Sequence, residues 1–162
     1  MTLIYRSRTI LVPPELLARL IGPTPPHGYA TNGMGPQKLG EGWAGRLLGR
    51  VVTWLVPDRI LGWDLVIGAA WHDHAYDLGG SAADRIEADW NLAENIPVIV
   101  RWAEKHRRGG SAAHGLIAFG FAGLTFCALR LFGARAFNWA AGEQPRGLVA
   151  VVAERAGFAP ED

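Results

Sequence analysis

The 162-residue chain has a single cysteine, two methionines and three tyrosines. Cys127 alone excludes an internal disulfide and a cysteine-based zinc site. The chain also lacks an excess of either charge. Lys plus Arg (16) nearly balances Asp plus Glu (15), for a formal charge of +1. This excludes the net basic field of a sequence-blind nucleic-acid binder, so no nucleic-acid partner is expected. No uncharged apolar run reaches the length of a spanning helix. The longest, Gly115 to Leu129, lies between His114 and Arg130 and falls short of the ~20 residues a bilayer requires. It reads as a buried or interfacial helix. The early apolar run Ile10–Val12 is too short for a secretory signal, so synthesis in the cytoplasm is expected.

Apolar side chains are plentiful. Hydrophobic residues make up 49% of the chain and charged ones 19%, which excludes a disordered or solvating polymer. The length fits one domain, 1–162, with a core of its own. Gly (21), Pro (10) and Trp (7) point to a turn-rich fold with several aromatic anchors.

The element pattern predicts a mainly α domain. Thr2–Tyr5 and Thr9–Val12 suggest a short N-terminal β-hairpin across Arg6-Ser-Arg8, and Glu15–Leu20 one helical turn. Eight prolines and glycines between Pro23 and Gly40 make 22–42 a loop with no room for a regular element, long enough to suggest a functional role. An amphipathic helix is expected over Trp43–Val56, stopping before Pro57. Its Trp43, Trp54, Arg46 and Arg50 suit either core packing or an interfacial face. A second helix begins at Gly62-Trp-Asp64 and ends at Gly79-Gly80. A third is capped by Ser81 with Asp84 in a near capping box and is kinked or ended by Pro97. A basic turn, Lys105–Gly110, precedes the apolar helical region 111–142, and a last helix follows Pro145.

The chemistry concentrates in Trp71-His-Asp-His-Ala-Tyr76 and the helix after it. His72 and Tyr76 lie four apart and share a helix face. Asp73 sits about 100° round and addresses a different neighbour. A base and a metal-binding carboxylate, side by side but aimed apart, suit metal-assisted hydrolysis. On the next helix, Ala82, Ile86, Ala93 and Ile96 fall within roughly 60° of Asp89, whereas Asp84, Asn91 and Asn95 fall opposite. Asp89 thus occupies the apolar stripe, where an unpaired carboxylate is costly. Its partner is a histidine on the facing helix or Arg85, one turn earlier. His74 and Asp77 read as rim residues, and His106 and His114 as surface or capping groups. His27 stands in the proline-rich loop rather than on a helix aimed at His72, which discounts a metal phosphohydrolase.

The order of glycine loop, His-Asp-x-x-Tyr helix and Ala-Asp helix resembles the phospholipase A2 family, in the disulfide-free form of parvovirus capsid and some bacterial and phage proteins. Ala88–Ile96 is similar to the second catalytic helix of the parvoviral type. Thr9–Pro13 and Leu129–Phe137 are also similar to a phage-associated family of unknown function. Together the resemblances touch about half the chain. They imply that His72 is the base that deprotonates water, that Asp89 holds its ring, and that Tyr76 donates a supporting hydrogen bond. They imply that Asp73 binds Ca2+ through both oxygens, with the carbonyls of Thr31, Gly33 and Gly35 completing the site. The chain departs from the pattern at Thr31, where the family carries an aromatic, and at Asn32, where the phage family carries an aspartate.

The function implied is calcium-dependent hydrolysis of a phospholipid acyl ester, with a phospholipid or membrane surface as partner. The alternative is a non-enzymatic phage-type particle or tail-associated protein that keeps the fold and contacts other particle proteins. A small membrane protein acting in lysis rests on Gly115–Leu129 alone.

Overall fold

The computed structural model describes residues 1–34, 57–60, 62–106, 112–135 and 137–141. Gly35, the helix expected over Trp43–Val56 and the helix expected after Pro145 lie outside the described residues. The domain is mainly α, with a small sheet at the N-terminus.

Strands β1 (Thr2–Tyr5) and β2 (Arg8–Leu11) form the expected hairpin. Arg6 and Ser7 turn it with positive φ at both positions (46° and 63°), the backbone of a two-residue turn that matches strand twist. A single turn, α1 (Pro14–Leu17), follows and buries Leu16. The 22–42 loop was expected to hold no regular element, yet Tyr29–Ala30 forms a strand, β3, parallel to β1 with Leu3 opposite Tyr29. Sheet order is β2-β1-β3. The edge of β1 supplies long-range partners that local sequence does not reveal, and Thr31 N–H extends the ladder to Ile4 C=O at 2.9 Å.

Gly62-Trp-Asp64 does not open the second helix. β4 (Arg59–Ile60) and β5 (Trp63–Asp64) pair across Gly62 instead, and α2 runs from Val66 to Leu78. Asp64 Oδ1 accepts the Val66 N–H at 3.1 Å, satisfying one of the donors a helix start leaves open. α3 spans Ala82–His106. Its start is the expected capping box: Ser81 Oγ accepts Asp84 N–H, and the Asp84 carboxylate accepts Ser81 N–H at 2.7 Å. Pro97 neither ends nor divides this helix. It gives no N–H to the carbonyl four residues back, but it is buried among residues packed on both sides. α4 (Ala112–Phe132) is one continuous helix leading into a 3-10 turn, Gly133–Arg135.

α3 is the central element, with α2 and α4 packed on it. Trp71, Leu92, Ile96, Ile99 and Val100 join Leu3, Val12 and Leu16 from the N-terminal segment in one core. The two-sided packing explains a shift in the buried face of α3. Ile86, expected in the apolar stripe, is 48% exposed, and Asn95, expected opposite, is fully buried. The stripe is centred near Leu92, roughly 60° round from Asp89. Asn95 is satisfied there: its Oδ1 accepts Ile21 N–H at 2.9 Å and its Nδ2 donates to Ile21 C=O at 3.0 Å. That bond pair ties the start of the loop to α3.

Candidate functional site

α2 and α3 place His72, Tyr76 and Asp89 side by side. Asp89 is 0% exposed and His72 is 7% exposed. His72 Nε2 lies 3.1 Å from Asp89 Oδ1, and the Tyr76 hydroxyl donates to the same oxygen at 2.5 Å. The i, i+4 spacing sets the two rings against each other, tilted by 41° with centroids 4.0 Å apart. An ionised carboxylate only accepts, so His72 gives it the Nε2 proton. In the neutral ring Nδ1 therefore carries the lone pair.

Both partners considered for Asp89 are present. Arg85 Nε stands 3.9 Å from Asp89 Oδ2 while Oδ1 faces the histidine. Arg85 also donates to the carbonyls of Leu129 (2.6 Å) and Arg130 (3.3 Å) in the last turn of α4, where a cation meets the negative helix end. A third partner escaped the sequence reading. Arg130 Nη1 donates to Asp89 Oδ2 at 2.8 Å from 41 residues away. The signal was available, because Arg130 is the one Lys, Arg, Asp or Glu in α4 and needs a counter-charge just as Asp89 does.

These contacts set the protonation states. Burial alone pushes the Asp89 carboxyl up, but hydrogen bonds from His72, Tyr76 and Arg130 and the charge of His72 outweigh it and hold the group below its ordinary value. Burial pushes the His72 imidazole down, yet Asp73 and Asp89 together hold it above the ordinary histidine value. The Tyr76 phenol is raised, chiefly by burial and then by the Asp89 charge.

Asp73 lies on the other side of the imidazole. Its Oδ1 is 3.9 Å from His72 Nδ1, and its side chain is 27% exposed. The β1–β3 pairing brings the following loop onto it. Thr31 Oγ1 donates to Asp73 Oδ2 at 2.6 Å, and Asn32 N–H reaches the same oxygen at 3.2 Å. The next residues turn away. Gly33 N–H donates to Thr31 Oγ1, and Met34 N–H donates to Asp58 Oδ1 at 2.8 Å. Gly33 has φ +87°, and a Cβ there would stand 2.4 Å from Asp58 Oδ1, so the backbone passes where only glycine fits. Tyr29 donates to Asp77 and its ring meets His74 edge-on. His74 and Asp77 thus lie at the rim, as expected. His106 is exposed, and His114 pairs with Glu104.

Among the described residues no three His, Cys, Asp or Glu side chains gather around a point that could hold a metal. A cation here would rest on one carboxylate and neutral oxygens. That donor chemistry fits Ca2+, which accepts carboxylate, hydroxyl and carbonyl oxygens. Among the described residues Asp73 Oδ1 has no closer partner than the imidazole, and the Thr31 hydroxyl carries lone pairs besides the proton it now donates. Of the expected ligands Asp73 and Thr31 meet, Gly33 lies against Asp58 and Tyr5, and Gly35 lies outside the described residues.

No protein-family model matches the chain, and neither does any curated protein or solved structure. The chemistry must be argued from the site itself. A buried carboxylate fixes one nitrogen of a raised-pKa imidazole, and the other nitrogen faces a partly open carboxylate and a loop. This arrangement can take a proton from a water at Nδ1 and return it to a leaving group.

Proposed function

We propose that the chain hydrolyses the acyl ester of a phospholipid, with His72 as general base. The observation that carries this reading is the division of the imidazole: Nε2 is committed to buried Asp89, while Nδ1 is directed to the open side beside Asp73. His72 Nδ1 takes a proton from water as the water oxygen bonds to the ester carbonyl carbon. Asp89 offsets the charge that appears on the ring, and Tyr76 with Arg130 keeps Asp89 ionised and fixed. As the ester C–O bond breaks, the Nδ1 proton passes to the departing alkoxide, giving a fatty acid and a lysophospholipid. Asp73 and Thr31, with the carbonyls of Thr31 and Gly33, would hold Ca2+. When bound, that ion supplies positive charge to the developing oxyanion. With a single carboxylate the affinity expected is weak, a Kd of about 10⁻⁴ to 10⁻³ M.

A second reading rests on the donors already directed at Asp73. Thr31 O–H and Asn32 N–H satisfy Oδ2 without a cation, which favours a phage-type particle protein that keeps the helix pair as scaffold. Hydrolysis of phospholipid vesicles, with calcium and with chelator, separates the two when wild type is set beside His72→Ala and Asp73→Asn. The enzyme reading expects calcium-dependent release of fatty acid that both substitutions abolish. A folded protein that neither binds calcium nor releases fatty acid sinks it and leaves the scaffold.

A further inference from the structure

α4 is apolar on both of its faces. Its inner face, with Ala118, Phe121, Ala122, Thr125 and Ala128, is buried against α3 and the core. Stepping about 100° per residue, Leu116 and Phe119 fall on the opposite side beside Gly120 and Gly123, and Ile117 and Leu124 lie on one flank. Leu116 is 76% exposed and Phe119 54%. A helix on the surface of a water-soluble domain ordinarily turns charged and polar residues outward. Here the one charged residue on that side is Arg130, whose guanidinium turns back to Asp89, and no acidic residue occurs anywhere in α4. The segment Ala113–Leu131 has a mean hydropathy of 1.5, yet only 28% of it is buried.

The apolar area extends past the helix. Between α3 and α4 an open groove of about 520 Å³ is lined by Trp90, Pro97, Phe119 and Phe126 among others. The exposed cations at its border outnumber the one carboxylate that lines it, Glu94. The Arg101 guanidinium stands over the Phe119 ring at 5.5 Å, and Lys105 and His106 follow in the exposed last turn of α3. The nearby carboxylates are engaged: Glu94 accepts the Trp90 indole N–H at 2.6 Å, and Glu104 pairs with His114.

We infer that this face of α4, bordered by Arg101 and Lys105, seats the protein on an anionic lipid bilayer, with the helix lying in the interface. Large exposed apolar patches mark interaction sites, and an apolar face with a cationic border matches acyl chains below anionic headgroups. A second copy of the chain is the competing occupant, and the experiment below tells the two apart. Crossing the bilayer would strip α4 from α3 and part Arg130 from Asp89, whereas lying in the interface keeps both. The inference is independent of the hydrolytic reading, since it uses no residue of the His72 site as a ligand.

Co-sedimentation of the full chain tests it, with vesicles of phosphatidylglycerol and phosphatidylcholine in equal parts against phosphatidylcholine alone. Wild type is expected to sediment with the mixed vesicles only, and less at high salt. The double variant Leu116→Glu/Leu124→Glu should weaken binding at least about tenfold while keeping the wild-type circular dichroism. Arg101→Glu, which leaves the apolar face whole, should weaken it by a smaller factor. His72→Ala should bind like wild type, so loss of hydrolysis with retained sedimentation bears on the reaction alone. The inference is overturned if wild type ignores both vesicles or if the double variant binds equally well. A dimer by light scattering that the double variant dissociates, without vesicle binding, assigns the face to a second copy and overturns it too.

Discussion

Two aspartates flank one imidazole, and they are treated in opposite ways. Asp89, on the Nε2 side, has no exposure and receives a histidine, a tyrosine and an arginine, with a second arginine close by. Asp73, on the Nδ1 side, is 27% exposed and, among the described residues, receives hydrogen bonds from one loop. A buried charge is tolerated when every lone pair is met, and Asp89 meets that condition with groups from three helices. The fixed carboxylate sets the tautomer, and the other lies beside the nitrogen that the proposed reaction would use. On that reading, support and chemistry are divided between the two sides of a single ring.

Removing the fixed carboxylate should have the largest effect. Asp89→Ala leaves Arg130 and Arg85 buried or half-buried without a counter-charge and strips His72 and Tyr76 of their acceptor. A stability loss of about 3–5 kcal/mol is expected by urea unfolding. A loss well under that range would show that the cluster can reorganise and that the contrast with Asp73 is overdrawn. The loss should also depend on pH. The folded-state pKa of Asp89 lies below its ordinary value, so its contribution is present above the ordinary carboxylate pKa of about 3.9. It disappears as pH falls through the folded value. Unfolding free energy of the wild type should therefore fall more steeply in acid than that of Asp89→Asn.

Asp73→Asn is the counterpart and should act on activity instead. Its partners among the described residues are the buried Thr31 hydroxyl, the Asn32 N–H and the more distant His72, and an amide oxygen still accepts from the first two, so stability should change by no more than about 1–2 kcal/mol. Fatty-acid release should fall about 100-fold or more, the scale of losing one group that stabilises a developing oxyanion. Equal damage to stability from both aspartate substitutions would remove the distinction between support and chemistry.

Much of the fixed side was legible in the sequence. A lone acid on an apolar helical stripe predicted a buried partner, and the i, i+4 spacing of His72 and Tyr76 put two candidates on one face. The open side was less legible, because Thr31 meets Asp73 only after β3 pairs with β1, a contact between segments more than twenty residues apart. The same limit hid the β4–β5 pair, whose strands are two residues long and carry almost no periodic signal. Pro97 misled for a physical reason. A proline removes one helical bond, but burial of the helix on two sides outweighs that loss. Ile86 and Asn95 misled together, since a period of 3.6 locates a stripe without saying how many neighbours will cover it.

Arg130 sharpens the comparison at a smaller scale, because it joins the fixed side to α4. Arg130→Gln keeps a long side chain but removes the charge, leaving Asp89 Oδ2 with Arg85 at 3.9 Å. About 1–3 kcal/mol of stability should be lost, the range for a hydrogen bond to a charged group. Arg130→Lys should recover part of it, since an ammonium restores the charge without the planar fork. Full recovery by glutamine would mean that Asp89 needs a donor at Oδ2 and not a cation.

The smallest effect should come from Tyr76→Phe, which tests whether the four groups around Asp89 act as one unit. The ring would remain, edge-on to Phe137 with centroids 5.1 Å apart, so the packing of α2 against the returning chain is kept. Only the hydroxyl is lost, together with its bond to Asp89 and the long 3.5 Å contact from Arg85 Nε. His72 and Arg130 still satisfy one oxygen each, so no carboxylate oxygen is left without a donor. The expected cost is about 1 kcal/mol in urea unfolding, with a smaller fall in fatty-acid release than Asp73→Asn gives. Combined with Arg130→Gln, the costs should exceed their sum, because the double variant takes both the phenol donor and the close guanidinium from one buried charge. Simple additivity would show that His72 alone suffices to hold Asp89, and the fixed side would then reduce to one pair.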